Sequence, residues 1–429
     1  MTTPASTSSS PEAAGTASQR CAERRQRMLD ATQLKKPDRV PILLRMGHML
    51  AELEGVSKQY LYENPAAAQA AVVRAALRFE PDAIVGLGGS PVPSRLLEDR
   101  STRWPGCGMG PDGSFQYIEH EFMKPEDYDR FLADPSDWAI RVYLPRVFGK
   151  LGGLALLPPL AMAALGYYGL IRNLQELAKP ELEDTFRALA AAAQAQADSI
   201  AQNRATAQQL EAAGFPPAPF LSGVLLEAPF DFMSDTLRAM RGIFLDIHRR
   251  PGKLLAAEEK VAAFQLEYAL AAGRATGNPY VFFPLHRGSD EFMSLAQFER
   301  FYWPQLKRMF LVLIDAGMIP FVFYEGVWDR RLPYLAELPK GRTIGHFQNS
   351  DIFRVKEVLG GTMCIMGGMP NSLLVGGTIG QVREHTRKLC EVVGRDGGFL
   401  MTTGISDLQG SKPELVDAWM KATREFGIY

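Results

Sequence analysis

Along most of the chain, apolar runs of four to eight residues alternate with longer stretches whose apolar positions recur every three or four residues. The first pattern belongs to strands and the second to amphipathic helices. Eight runs qualify as strands: residues 40–44, 83–87, 220–227, 280–284, 321–324, 342–346, 362–366 and 397–403. Helical periodicity follows most of them. Eight such units within 429 residues predict one closed (β/α)8 TIM barrel rather than an open doubly wound sheet. No GxGxxG opens a helix after a strand, and no Walker sequence is present, so no nucleotide fingerprint is found.

Two stretches depart from the alternation. Residues 1–18 are small and polar, which predicts a disordered N-terminal extension and a single barrel domain over 19–429. Residues 100–135 are rich in Gly, Pro and acids and predict an excursion with a hairpin around SFQYIEHEF. The most apolar segment, LGGLALLPPLAMAALGYYGLI from Leu151, contains Pro158, Pro159 and four glycines. Those residues argue against a membrane-spanning helix.

Composition narrows the class. The chain is 46% hydrophobic and 22% charged, enough for a sizeable core. Forty-seven basic and 48 acidic residues leave a net charge of −1, so no field for nucleic acid or anionic membrane arises. Four cysteines without a CxxC predict a reduced, cytoplasmic protein.

In a TIM barrel, chemistry gathers at the carboxyl ends of the strands. Those ends carry Arg45 and His48, Glu227, His286 and Arg287, Tyr324 and Glu325, and His346 and Gln348. His286, Glu325 and His346 close three successive strands and are 39 and 21 residues apart. Neighbouring strands lie about 4.8 Å apart, so the three predict a zinc site with two imidazoles and one carboxylate. The competing reading pairs Glu325 with Arg330 or Arg287. Arg45, His48 and Arg287 are the candidates for an anionic substrate group, with Tyr324 and Gln348 positioning the substrate. Asp290 and Glu291 either orient His286 or cap the next helix, and His385 is expected at the surface.

The segments KPDRVPILL, PLHRGSDEFMSLAQFERFYWP, FYEGVWDRRLPYLAELPKG, DIFRVKEVLGGTMCIMGGMPNSLLVGGTIGQVREHTRKLCEVVGRDGGFLMTTG and KPELVDAWMKATREFGIY resemble the uroporphyrinogen decarboxylase superfamily. The resemblance covers residues 20–429 and implies a (β/α)8 barrel. It also implies either tetrapyrrole decarboxylation or zinc-dependent methyl transfer to or from corrinoids and thiols. The decarboxylases carry an MRQAGR-type segment and an FSDI-type acid, where this chain has LLRMGHML and IVGLGGSP. Arg45 alone matches, so porphyrinogen turnover is not expected. The corrinoid-linked methyltransferases carry an HxCG-type motif and a late cysteine, where this chain has FYEG and LMTTGIS.

The expected function is a metal-dependent methyltransferase-like enzyme that demethylates a small methylated or methoxylated substrate onto a corrinoid protein. A lyase or decarboxylase acting on a non-porphyrin carboxylic acid is the alternative, and a noncatalytic binding barrel is the third. Zinc is the expected resident metal and a corrinoid the partner-borne acceptor. Oligomeric state is not readable from these patterns.

Overall fold

The computed structural model describes residues 16–405 and 407–429. Most of the predicted tail lies outside the described residues. Its last part does not behave as a tail: the first helix, Ala17–Thr32, is closed by a capping box between Thr16 and Gln19. The reciprocal bonds satisfy two backbone donors that a helix start otherwise leaves unmatched.

Eight parallel strands follow: β1 Leu43–Arg45, β2 Ala83–Val85, β3 Val224–Leu225, β4 Tyr280–Leu285, β5 Ile319–Tyr324, β6 Ile344–Phe347, β7 Cys364–Met369 and β8 Phe399–Thr403. Strands β3 to β8 form one sheet in sequence order, and β1 pairs with β2. A parallel bridge between Ile42 and Met401 joins β8 back to the start of β1. This is the expected (β/α)8 barrel. Between β2 and β3 no ladder forms among the described residues. A cavity of about 690 Å³ lies there, lined by Ile84, Val85 and Gly86, by Ser222, and by Gln202 and Asn203 of the long helix Pro180–Ala212.

Alternation along each strand separates two cores. Leu43, Ala83, Phe321, Ile344, Cys364, Met366 and Leu400 pack inside the barrel. Leu44, Ile84, Val281, Phe283, Val322, Tyr324, Ile365 and Phe399 pack outward against the helices. Met28 and Ala31 join the inner cluster, so the first helix plugs the amino end of the barrel. There, Asp82 accepts hydrogen bonds from Arg27 at 2.5 Å, from Arg39 at 2.8 Å and from the Ile42 amide at 2.8 Å.

The opposite end holds the excursion. Its strand Thr102–Pro105 pairs antiparallel with Gln116–Tyr117. A chain of aromatic contacts runs from His48 through Tyr62, Trp104 and Phe115 to Tyr117, with centroid separations of 4.5 to 6.0 Å. The hairpin is therefore fastened over the carboxyl ends of the strands. No helix among the described residues is long and apolar enough to cross a membrane.

Candidate active site

Inward parity continues past the strand ends. From Phe321 it runs to Phe323 and Glu325, from Tyr280 to His286, and from Ile344 to His346 and Gln348. Strand register then sets their height. Leu285 pairs with Tyr324, which puts His286 level with Glu325. Phe323 pairs with His346, which puts His346 one layer deeper. The three expected metal ligands do not converge.

His286 and Glu325 do meet, with Nε2 3.1 Å from the carboxylate. On its other side, His286 Nδ1 lies 2.5 Å from Asp235. Burial opposes a charge on this ring, but Asp235 and Glu325 outweigh it and raise the group from 6.5 to about 11. His286 is therefore an imidazolium held between two carboxylates, with Glu325 44% exposed on the open side.

His346 is fully buried, stacked near Phe323, with Nε2 2.8 Å from the Thr403 carbonyl. Burial, and then the nearby Arg45 charge, push it down to about 3, so it is neutral. A ring bonding a carbonyl through Nε2 carries its proton there and leaves Nδ1 as an acceptor. That Nδ1 has no partner among the described residues. Two of the three expected donors are therefore in place and the third is not. Among the described residues no group of three or more His, Cys, Asp or Glu is arranged to hold a metal ion. The zinc set as expected does not fit, and no chemical step is routed through a metal below.

The other candidates also move. Tyr324 has outward parity, stacks on Phe347 at 4.6 Å and buries its hydroxyl without a partner, so it faces the helices and not the mouth. Gln348 accepts a 2.6 Å hydrogen bond from the Gly326 amide and fixes the loop after Glu325. Arg287 is committed to Asp235 at 2.8 and 2.9 Å and to Ser234 at 3.2 Å, so it is structural. His48 has both nitrogens engaged, with Asp407 at 2.5 Å and the Tyr62 hydroxyl at 3.2 Å. Gly47 makes that approach possible: its φ is +52°, and a Cβ there would fall 2.3 Å from the Asp407 carboxyl carbon. Asp290 pairs with Arg331, and Glu291 accepts from the Val327 amide, so neither orients His286. His385 is not free at the surface; its Nε2 lies 2.9 Å from the Gly368 carbonyl.

Arg45 remains. It faces the inside of the barrel beside β2, partly buried, and its buried Nε and Nη1 have no partner among the described residues. Burial alone lowers it from 12.5 to about 10. An unpaired buried cation is costly, and its charge reaches His346; the His346 Nδ1 and the Thr402 hydroxyl are likewise buried without a partner among the described residues.

The sequence reading had passed over Asp231 and Asp235. Asp231 is fully buried and accepts from the Tyr302 hydroxyl at 2.6 Å and from the His286 and Arg287 amides at 2.9 and 3.0 Å. Burial, then Asp235, lift Asp231 to about 6; burial, then Asp235 and Asp231, lift Glu227 to about 7. Asp235 is held below its usual range: burial opposes ionisation, but the bonds from His286 and Arg287 prevail. Asp231 and Asp235 are one turn apart in the helical stretch 229–238, and Glu227 joins them from the loop just before it. That spacing was the readable signal.

The uroporphyrinogen decarboxylase (URO-D) family model matches residues 175–426. The chain belongs to that family. Among solved structures, a methyltransferase from Methanosarcina mazei shares the fold, with a TM-score of 0.56 and 14% identity over 94% of this chain and 98% of that one. No curated protein matches the chain significantly.

Proposed function

We propose that this chain is a methyltransferase-like enzyme that demethylates a small methylated or methoxylated substrate bearing an anionic group, with a corrinoid protein as methyl acceptor. The observation that carries this reading is Arg45, whose Nε and Nη1 are buried and unpartnered among the described residues and whose charge reaches His346, one layer beneath the His286–Glu325 pair. Arg45 would hold the anion by its planar fork, with the Thr402 hydroxyl free to donate a further hydrogen bond. The acceptor supplies the nucleophile that takes the methyl carbon. The bond from that carbon to the leaving heteroatom breaks, and its electron pair stays on the heteroatom. His286 donates its Nε2 proton there, which is general-acid catalysis. Asp235 keeps the ring charged and aimed, and the Nε2 proton passes from its bond with Glu325 to the leaving heteroatom. The similarity to a methyltransferase supports the fold of this reading, and the family membership supports an enzyme of that superfamily.

The test is methylation of cob(I)alamin, followed by absorbance, with methoxyacetate and related methylated anions as donors. Transfer that depends on Arg45 and His286 supports the reading; no transfer from any methylated anion ends it. The buried acids Glu227 and Asp231 favour a second reading, a decarboxylase or lyase on a non-porphyrin acid, because proton donors near a bound carboxylate suit a carbanion. Release of carbon dioxide without methyl transfer would select it.

A further inference from the structure

Where β2 and β3 form no ladder, the wall of the barrel holds a cavity of about 690 Å³. Small-molecule sites have that size, ~300–1,000 Å³. One side is apolar, with Val72, Ile84 and Leu210, all buried. The other side is a helix facing the opposite way from expectation. A helix packed on a barrel sets its apolar positions against it. Yet Pro180–Ala212 lines the cavity with Ser199, Gln202, Asn203 and Thr206, spaced i, i+3, i+4 and i+7. Ala192 and Leu210, on either side of that stretch, are buried in the ordinary way. The polar stripe lies where the helix meets the cavity.

Two lining groups define what such a place recognises. Gln202 Nε2 donates to Gln69 Oε1 at 3.2 Å, which commits that oxygen. Gln69 Nε2 is buried with no partner among the described residues, so it is a donor that lacks an acceptor. Tyr62 is its complement. The Tyr62 hydroxyl lies 3.2 Å from His48 Nε2, and His48 Nδ1 lies 2.5 Å from Asp407. Asp407 accepts the Nδ1 proton, and in the neutral ring Nε2 then accepts from the phenol. The phenol oxygen keeps its lone pairs for an incoming N–H. A donor and an acceptor on one lining match a carbonyl and an N–H on one ligand, which is the edge of a carboxamide or a lactam. Charge narrows the class further. Arg95 is paired with Glu63 at 3.6 Å, and Asp198 adds a second acid to the lining, so an anion is not favoured.

We propose that this cavity is a second binding site, for an uncharged ring compound whose amide carbonyl accepts from Gln69 and whose N–H donates to Tyr62. The ring lies on the apolar side. The experiment is isothermal titration calorimetry of the full chain with benzamide and with 2-quinolone, with circular dichroism to confirm the fold of each variant. Both probes bind the wild type with Kd of about 0.1–1 mM, as ligands this small do. Ser199→Phe sets a ring into the cavity and abolishes binding. Gln69→Leu and Tyr62→Phe each weaken it about three- to tenfold. Acetophenone keeps the ring and the carbonyl but lacks the N–H, and binds at least about threefold more weakly than benzamide. Arg45→Met leaves both probes unaffected, which separates this site from the anion site of the proposed function. A wild type that binds neither probe overturns the proposal, since the cavity then holds water alone. Binding that survives both Ser199→Phe and Gln69→Leu, acetophenone equal to benzamide, or binding lost with Arg45→Met overturns it as well.

Discussion

Replacing Arg45 by Met should make the ligand-free protein more stable. The guanidinium is lowered from 12.5 to about 10 by burial alone, which corresponds to about 3 kcal/mol set against the charged, folded chain. For a base lowered on folding, that penalty is fully present below about 10 and fades only as pH rises toward 12.5, so it operates at neutral pH. Methionine keeps the length of the stem and removes the charge. Allowing for water that reaches the mouth, the expected gain is about 1–3 kcal/mol, or about 1–3 °C in Tm for a chain this long. The bound anion should reverse the order. Methoxyacetate at about 100 times its Kd adds about 2.7 kcal/mol to the wild type and nothing to the variant. Arg45→Lys keeps the charge and loses the fork, so it should retain the instability and lose most of the ligand shift. Scanning calorimetry with and without methoxyacetate reads all of this. An Arg45→Met variant less stable than wild type by more than about 1 kcal/mol would mean that the arginine is structurally paired. Equal ligand shifts in both proteins would mean that the anion binds elsewhere.

Asp235→Asn should lower kcat for methyl transfer about 10- to 100-fold with little change in KM, because the carboxylate acts through His286; an unchanged kcat removes His286 as the proton donor. Asp82→Ala should cost about 3–5 kcal/mol in a denaturant melt, since it removes the buried carboxylate that Arg39, Arg27 and the Ile42 amide share and leaves Arg27 with Asp38 alone; a loss under about 1 kcal/mol would show that water replaces the carboxylate there. His346 is lowered from 6.5 to about 3 on folding, so its neutral state supports the fold above 6.5 and that support is lost as pH falls toward 3; His346→Gln should flatten this part of the stability curve, and an unchanged slope would place the titration elsewhere. Protein purified without chelator should hold well under one equivalent of zinc; a full equivalent that Glu325→Gln removes would show that the His286–Glu325 pair opens to take a metal.

The barrel was legible because its strands are buried on both faces, so they read as continuous apolar runs such as FVFY and TMCIM whatever their register. The site asks for more than runs: it asks which face each residue takes and how high it stands. Tyr324 shows the first difficulty. It adjoins Glu325, yet a period of two turns it outward onto Phe347 while Glu325 points inward. Counting back from Phe321 would have separated them. His346 shows the second. It ends its run as Glu325 nearly ends its own, but β6 is staggered so that His346 stands opposite Phe323. No spacing in one sequence carries that stagger, since it follows from how a closed barrel tilts its strands. The acids show the opposite case. Asp231 and Asp235 were readable as one turn of a helix, and once that helix is placed after β3 they arrive beside His286, with Glu227 reaching the same place from the preceding loop. Arg45 was visible as a cation at a strand end, but its meaning depends on what is absent around it in three dimensions. The hydrogen-bonding acids nearest the mouth are spent on His286 and Arg287, and Asp407 is spent on His48. A cation left uncompensated by a chain with 48 acidic residues carries a desolvation cost that the proposed substrate anion would offset.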